Sequence, residues 1–478
     1  MREVNVISAG ILDSFPQVDE SRVDALLAGE IAKSSRKIIV LDDDPTGVQT
    51  VHHISVYTDW SIESIREGFA ETQRLFYLLT NSRGFTVEQT TAAHREIAAR
   101  AAAVSRETGI SCLIMSRGDS TLRGHYPLET ELLKAGAEAA GQRIDGEILC
   151  PFFREGGRFT IGDIHYVRDG DRLIPAGQTE FAKDRTFGYR SSDLKDYVEE
   201  KTDGAYPAEQ VVSISIEELR KLDLDGIERK LLGVCGFGKV VVNAAADVDV
   251  KIFSIALYRA MAKGKNFLFR TAAALVKAFG GISSQPLLTR EQMIHTRTPN
   301  GGVIVVGSHT QKTTRQLDEL KKAEGIVPVE FNSDLVLDES AFAAETARTT
   351  RKMEEIIRSG KTAVVYTKRK LLVIENDSPE DALLRSVRIS NAVQALVGDL
   401  RETPAFVIAK GGITSSDIGT KALKVRRALV MGQIRPGIPV WRTGAESRFP
   451  GIPYVIFPGN VGEDTTLREA AEILMKSR

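Results

Sequence analysis

The chain has 478 residues, 42% of them hydrophobic and 27% charged, an ordinary balance for a globular enzyme of two or three domains that each bury a core. A formal net charge of −1 offers no global basic field for nucleic acid or for an anionic membrane, although a summed charge leaves room for a local basic pocket. No run reaches the ~18 apolar residues of a membrane span, and MREVNVISAG lacks the pattern of a signal peptide, so a cytoplasmic protein is expected.

In chain order, short apolar runs end in polar or small residues and lead into helical patterns. Residues 37–41 (KIIVL) precede Asp42, Asp43 and Asp44, and residues 75–79 (LFYLL) precede Thr80 and Asn81. Residues 112–115 (CLIM) precede Ser116, Arg117, Gly118 and Asp119, and residues 147–150 precede Pro151. Apolar strands spaced by helices favour a parallel sheet covered on both faces. A helix is expected over 86–108, with Ile97, Ala101 and Val104 on one face and Gly109 as its stop. Residues 163–210 are polar and read as a long excursion from the main sheet. A second α/β series begins near Gly302, with strands expected at 302–306, 362–366, 405–409 and 454–457. Ser378, Pro379, Glu380 and Asp381 form a helix start, and Thr466 with Glu469 fits a capping box on the last helix. The stretch 282–301, with its Ser, Pro and paired Gly, reads as a linker between a domain at 1–281 and one at 302–478. The expected fold class is α/β: two domains, each with a mainly parallel sheet flanked by helices.

Three cysteines, Cys112, Cys150 and Cys235, lie far apart and form no CxxC pair, which argues against a disulfide framework and a cysteine zinc site. Cys112 and Cys150 sit in apolar runs and read as buried free thiols. The seven His residues show no metal-ligand spacing, and His52 and His53 would point opposite ways in a strand. Walker A, G-x-G-x-x-G, G-x-S-x-G and H-R-D or D-F-G signatures are all absent from the sequence, which together with the His spacing disfavours ordinary P-loop enzymes, Rossmann dehydrogenases and zinc hydrolases.

The sharpest local feature is LDDDPTGVQT at 41–50, where three carboxylates follow a strand. Ligands bind at the carboxyl ends of strands in open α/β sheets. Asp43 or Asp44 there can orient a sugar hydroxyl and accept its proton; the plainer reading is a solvated acidic turn. Gly47 is read as permitting an unusual backbone angle. In SRGDSTLRGH at 116–125, Arg117 and Arg123 offer donor forks to a carboxylate, and Asp119, Ser120 and Thr121 add acceptors and hydroxyls. The plainer reading is a helix cap with solvated arginines. In PFFREGGRFTIGDIHYV at 151–167, Arg154, Arg158, Asp163 and His165 are candidates to face a ligand, although a lone His beside Tyr is commonly structural. Three Gly-rich turns follow strands in the second half: Gly307-Ser308-His309-Thr310, Lys410-Gly411-Gly412-Ile413-Thr414, and Gly459-Asn460-Val461-Gly462. Backbone N–H groups in such turns cradle phosphates, and Lys410 can pair with a phosphate oxygen.

These segments resemble, in order along the chain, the signatures of the four-carbon acid sugar kinase family. LDDDPTG resembles its D-D-x-T-G, GDSTLRGH its D-S-T-x-R-G, and FREGGRFTIGDIHYV its Gly-Arg…His-Tyr-Val stretch. GSHTQKTTRQL, KGGITSSD, RPGIPV and PGNVGEDTTL resemble its nucleotide-domain signatures. The resemblance implies an acid-sugar domain, an ATP domain and an active site in the interdomain cleft. Its members phosphorylate threonate, erythronate, 3-oxo-tetronates and related acids with ATP and Mg2+, and a homodimer is implied as well. It assigns Asp43, Asp44, Arg117, Asp119, Ser120 and Arg123 to substrate. It assigns Ser308, Thr310, Gly411, Gly412, Thr414, Gly437, Gly459, Asn460 and Gly462 to nucleotide; the metal ligands stay unknown. The chain departs from the family at Ile413, where many members carry a carboxylate, and in the extra Asp and Pro of DDDPTG. Those departures keep two alternatives open: a kinase of a branched or keto acid such as 3-oxo-isoapionate, and a catalytically silent binding relative.

Overall fold

The computed structural model describes residues 4–295, 298–370, 372, 374, 377–459 and 461–475. The chain divides into two compact units, 1–50 with 59–284, and 51–58 with 285–478.

The first unit is built on a sheet in the order Val212–Ile214, Gly238–Val242, Gly146–Cys150, Phe267–Thr271, Cys112–Arg117, Lys37–Asp42, Leu75–Leu79. Every neighbouring pair in that order is parallel. Lys37–Asp42 and Leu75–Leu79 are buried along their whole length, which is why they read as unbroken apolar runs: helices cover both faces. Helix Val87–Thr108 starts at a capping box between Thr86 and Gln89 and ends at Gly109, whose φ of 69° is the left-handed stop that Gly adopts without strain. It buries Ala93, Ile97, Ala98, Ala101 and Val104, and packs on helix Leu128–Ala139 where Gly136 meets Ala98. The polar excursion contributes two strands to a small antiparallel sheet ordered Ile7–Ser8, Arg172–Pro175, Ile164–Asp169, Arg158–Ile161.

The second unit carries the strands Ile54–Tyr57, Arg427–Arg435, Ile438–Thr443, Pro453–Phe457, Val407–Lys410, Val303–Val306, Thr362–Thr367 and Ile326–Phe331, in that order. The last five pair in parallel and the first four are joined antiparallel. Its core gathers Ile304, Val306, Leu317, Ile408, Val440, Val455 and Leu467. Helix Pro379–Gly398 begins as its sequence implies, with the Ser378 hydroxyl accepting from the Asp381 N–H. The last helix, Thr466–Met475, begins differently from the expected box. The Thr466 hydroxyl accepts from the Glu463 N–H, and it is Thr465 that donates to the Glu469 carboxylate. His52 and His53 lie in no strand; His53 has φ 55°, and their rings meet edge to face at 5.0 Å.

Candidate functional site

In the first unit, Asp42 and Arg117 are the last residues of adjacent strands and stand side by side in register. Arg117 Nη1 lies 3.1 Å from Asp42 Oδ1 and 3.5 Å from Asp43 Oδ1. Arg83, on the turn after Leu75–Leu79, donates to Asp43 through Nε (3.2 Å) and Nη2 (2.7 Å), and to Asp44 through Nη1 (3.3 Å). The other Asp44 oxygen accepts from the Thr46 N–H at 2.8 Å and the Thr46 hydroxyl at 2.5 Å. Burial pushes the Asp42 carboxyl up to about 7 against the pull of Arg117. Burial acts on Asp44 in the same direction, but Arg83 and the Thr46 donors outweigh it and hold that carboxyl below the usual range. Gly47 serves this packing by its size: a Cβ there would sit 2.0 Å from Asp42 Oδ1, and its φ is not in the left-handed region. The expectation of an unusual backbone angle at Gly47 is therefore corrected.

Residues 119–124 form the neighbouring wall. The Asp119 carboxylate accepts from Arg123 Nε at 2.6 Å and from the Thr121 hydroxyl. Arg83, Arg123 and Thr121 overcome the effect of burial and hold Asp119 well below the ordinary carboxylate range. The loop is braced from beneath. His165 Nε2 meets the Ser120 carbonyl at 2.8 Å, Tyr189 donates to the Thr121 carbonyl at 2.7 Å, and Tyr197 donates to the Leu122 carbonyl at 3.0 Å. His165 is fully buried, its Nδ1 bonded to the Thr160 hydroxyl at 3.0 Å, and burial pushes it down to about 4. It thus supports the wall as a neutral ring and presents neither nitrogen to a ligand. Arg123 and Arg158 both stack on Phe181, at 5.1 and 5.6 Å from the ring centroid. Arg270 donates to the Arg123 carbonyl at 2.6 Å and fills the space beside Gly118, where a Cβ would lie 1.2 Å from its Nη1. Arg154 is exposed, and Asp163 turns away to bond Ser213 and Asn243 at 2.5 and 2.7 Å.

In the second unit, Ser308, Thr310, Gly411, Gly412, Thr414 and Gly459 line one cavity of about 650 Å³. Thr310 caps helix Gln311–Leu320 by accepting from the Thr313 N–H at 3.2 Å. The glycines are fitted to close approach: a Cβ on Gly307 would meet the Thr414 hydroxyl at 2.3 Å, and Gly411 has φ 116°. The opposite wall comes from helix Pro379–Gly398, through Ile389, Val393 and Gln394. Lys410 is buried and donates to the Pro458 and Gly459 carbonyls at 2.7 and 2.9 Å, so it holds the third Gly turn in shape. Burial, with Lys312 nearby, lowers its ammonium to about 7. Gly437 and Gly462, both at positive φ, do not line this cavity among the described residues, and Asn460 lies outside the described residues. Ile413 is 77% exposed and is one of the residues lining this cavity. Among the described residues, no group of three or more His, Cys, Asp or Glu side chains is placed to hold a metal ion, and no helix is long and apolar enough to cross a membrane.

Two family models match the sequence: a sugar-binding N-terminal domain over residues 38–279 and a nucleotide-binding C-terminal domain over residues 303–467. The chain belongs to the four-carbon acid sugar kinase family. The fold recurs in solved structures. A putative tRNA synthase from Salmonella typhimurium LT2 is similar with a TM-score of 0.63 at 14% identity, over 91% of this chain and 98% of that one. A Haemophilus influenzae protein of the DUF1537 family is similar with a TM-score of 0.60 at 15% identity, over 91% of this chain and all of that one. At such identities the likeness is one of fold. A search of curated proteins finds no match.

Within this family member, the sugar-binding match contains the whole Asp/Arg cluster and the nucleotide-binding match contains the Gly-lined cavity. The cluster can orient hydroxyls and accept a proton, whereas the cavity offers backbone amides and small side chains suited to phosphates. Arg83, Phe181 and Arg270 escape the sequence reading. For Arg83, the available signal is its place in Asn81-Ser82-Arg83-Gly84 directly after an apolar strand, the same kind of position as Asp43 and Arg117.

Proposed function

We propose that the chain is an ATP-dependent kinase that phosphorylates a hydroxyl of a small acid sugar of about four carbons, such as threonate, erythronate or a 3-oxo-tetronate. The observation that carries this reading is the presence in one chain of a partly buried Asp43–Asp44–Arg83–Arg117 cluster at and just beyond strand ends and a Gly-lined cavity of about 650 Å³. Arg117, Arg123 and Arg158 are the guanidinium groups suited to the substrate carboxylate: all three nitrogens of Arg83 are spent on Asp43 and Asp44, whereas Arg117 meets the aspartates through Nη1 alone and Arg123 meets Asp119 through Nε. Asp119, Ser120 and Thr121 shape the wall beside them. Asp43 or Asp44 accepts the hydroxyl proton, while Ser308, Thr310, Gly411, Gly412 and Thr414 hold the nucleotide phosphates. Phosphate charge would be neutralised by Mg2+ carried with ATP. The rest of the catalysis is placement and exclusion of water.

The reading is tested by measuring ADP release with a panel of C4–C6 aldonic and 3-oxo acids. At least one acid is expected to drive ATP consumption, and Asp43→Ala and Asp44→Ala are expected to bind ATP normally while losing ~10²-fold or more in turnover. Full turnover in both variants rules out the proton-acceptor role. Ile413, exposed at the cavity where a carboxylate is common in relatives, favours as second reading a protein that binds acid or nucleotide without turnover. No ADP release with any acid on the panel, alongside measurable binding, would establish that alternative.

A further inference from the structure

Asp43 and Asp44 are adjacent in sequence but not equivalent in space. Asp43 is nearly closed off: its side chain is 4% exposed, one oxygen accepts from Arg83 Nη2 and faces Arg117 Nη1, and the other accepts from Arg83 Nε. Asp44 is 19% exposed. Its Oδ1 accepts from the two Thr46 donors, whereas among the described residues Oδ2 has one longer contact, 3.3 Å to Arg83 Nη1. One guanidinium therefore grips Asp43 with two donors and leans on Asp44 with a third.

The grip is rigidly mounted. Asn81 adopts the left-handed conformation at φ 54° to start the Ser82–Gly84 turn. The Thr80 N–H and hydroxyl both donate to the Asp42 carbonyl, at 2.9 and 3.0 Å, tying that turn to the strand that carries the aspartates. The Ser82 hydroxyl donates to Glu129 at 2.7 Å, and Glu129 is buried on helix Leu128–Ala139 with His94 Nε2 3.8 Å away. His125 Nε2 meets the Phe85 carbonyl at 3.0 Å on the far side of the turn.

Resting on the kinase reading, we propose that Asp44 Oδ2 is the proton acceptor and that Arg83 is a positioning residue, locking Asp43 as a fixed counter-charge and aiming Asp44 at the substrate hydroxyl. In the step, the hydroxyl proton passes to Asp44 Oδ2 as the oxygen bonds to the γ-phosphorus and the bond from that phosphorus to the ADP oxygen breaks. The charged groups facing Asp44 are Asp42 and Asp43 on its own segment, Arg83 on the Ser82–Gly84 turn and Arg117 at the end of the next strand, with Asp119 beyond Arg83. Removing the Arg83 charge takes away the main force that keeps Asp44 ionised, so its carboxyl rises.

The test compares Arg83→Gln, Arg83→Lys, Asp43→Asn and Asp44→Asn in the full chain, using an acid that the wild type turns over and the pH profile of kcat. Asp44→Asn is expected to lose at least ~10²-fold in kcat with little change in the KM for ATP, and Asp43→Asn to lose less. Arg83→Gln is expected to shift the acid limb of the profile to higher pH by about one unit or more, and Arg83→Lys to bring it part of the way back. A purely structural Arg83 would lower kcat at every pH and leave the limb in place, which overturns the assignment. So does an Asp44→Asn enzyme that keeps wild-type kcat. If Arg83→Gln does not fold, Arg83→Lys and Asp44→Asn still decide the matter. A wild type in which none of the acids drives ATP consumption refutes the kinase reading, and the proton role falls with it; an active wild type whose Arg83→Gln variant keeps the limb in place refutes the Arg83 assignment alone.

Discussion

Asp42 never reaches the surface, yet it sets the electrostatic floor of the cluster. Its carboxyl stands at about 7 against an ordinary value of 3.8, through burial that Arg117 only partly offsets. The sign of the consequence is fixed by linkage. Between about pH 4 and 7 the unfolded chain gives up a proton that the folded chain retains, so this group's contribution to stability is full below 4 and is lost as pH rises through 7. In Asp42→Asn that loss disappears, while the side-chain carbonyl can still accept from Arg117. Urea midpoints taken from pH 4 to 8 should show the wild type losing ground to Asp42→Asn across that window; parallel curves would contradict it. The sequence displayed all three aspartates. It did not display the partner that organises them, because Arg83 is 40 residues from Asp43 and an isolated arginine after a strand carries no mark of its target.

Elements with local causes were readable. Helix Val87–Thr108 follows from Thr86, Gln89 and Gly109, all adjacent to the ends they define. Replacing Thr86 by Ala removes the side-chain acceptor for the Gln89 N–H and is expected to destabilise the protein by ~0.5–2 kcal/mol in chemical denaturation. A smaller change would mean that Gln89 or water takes over the cap. The sequence pattern sets the start of the last helix one residue late, because two successive threonines can serve as the cap and only the fold decides between them. The polar stretch from 163 to 210 reads from sequence as an excursion with Asp163 and His165 as ligand candidates; its bracing pieces, His165, Phe181, Tyr189 and Tyr197, are spread over more than thirty residues and acquire that meaning only where they meet the 119–124 loop. Nor was the antiparallel pairing of Ile54–Tyr57 with Arg427–Arg435 visible, since no local pattern records so distant a partner.

At the scale of the whole molecule, the α/β class and the parallel sheets follow from apolar strands alternating with helices, and both units have them. The chain nevertheless passes between the units three times, at 50/51, 58/59 and 284/285. A fragment of residues 285–478 would keep most of its core but lose Ile54, Val56 and Tyr57, all buried, and would bare the edge of Arg427–Arg435. It is expected to aggregate or melt early, and to recover when residues 51–58 are appended through a flexible linker; equal solubility and melting of the two versions would show the strand to be dispensable.

That borrowed strand also sets an order of events during biosynthesis. Ser55 leaves the ribosome 372 residues before Arg427, the residue whose guanidinium it meets. At roughly 5–20 residues per second the wait is about 20–75 s. Throughout that interval Ile54–Tyr57 lacks its Arg427–Arg435 partner, so the second unit can be completed only after residue 435 has emerged.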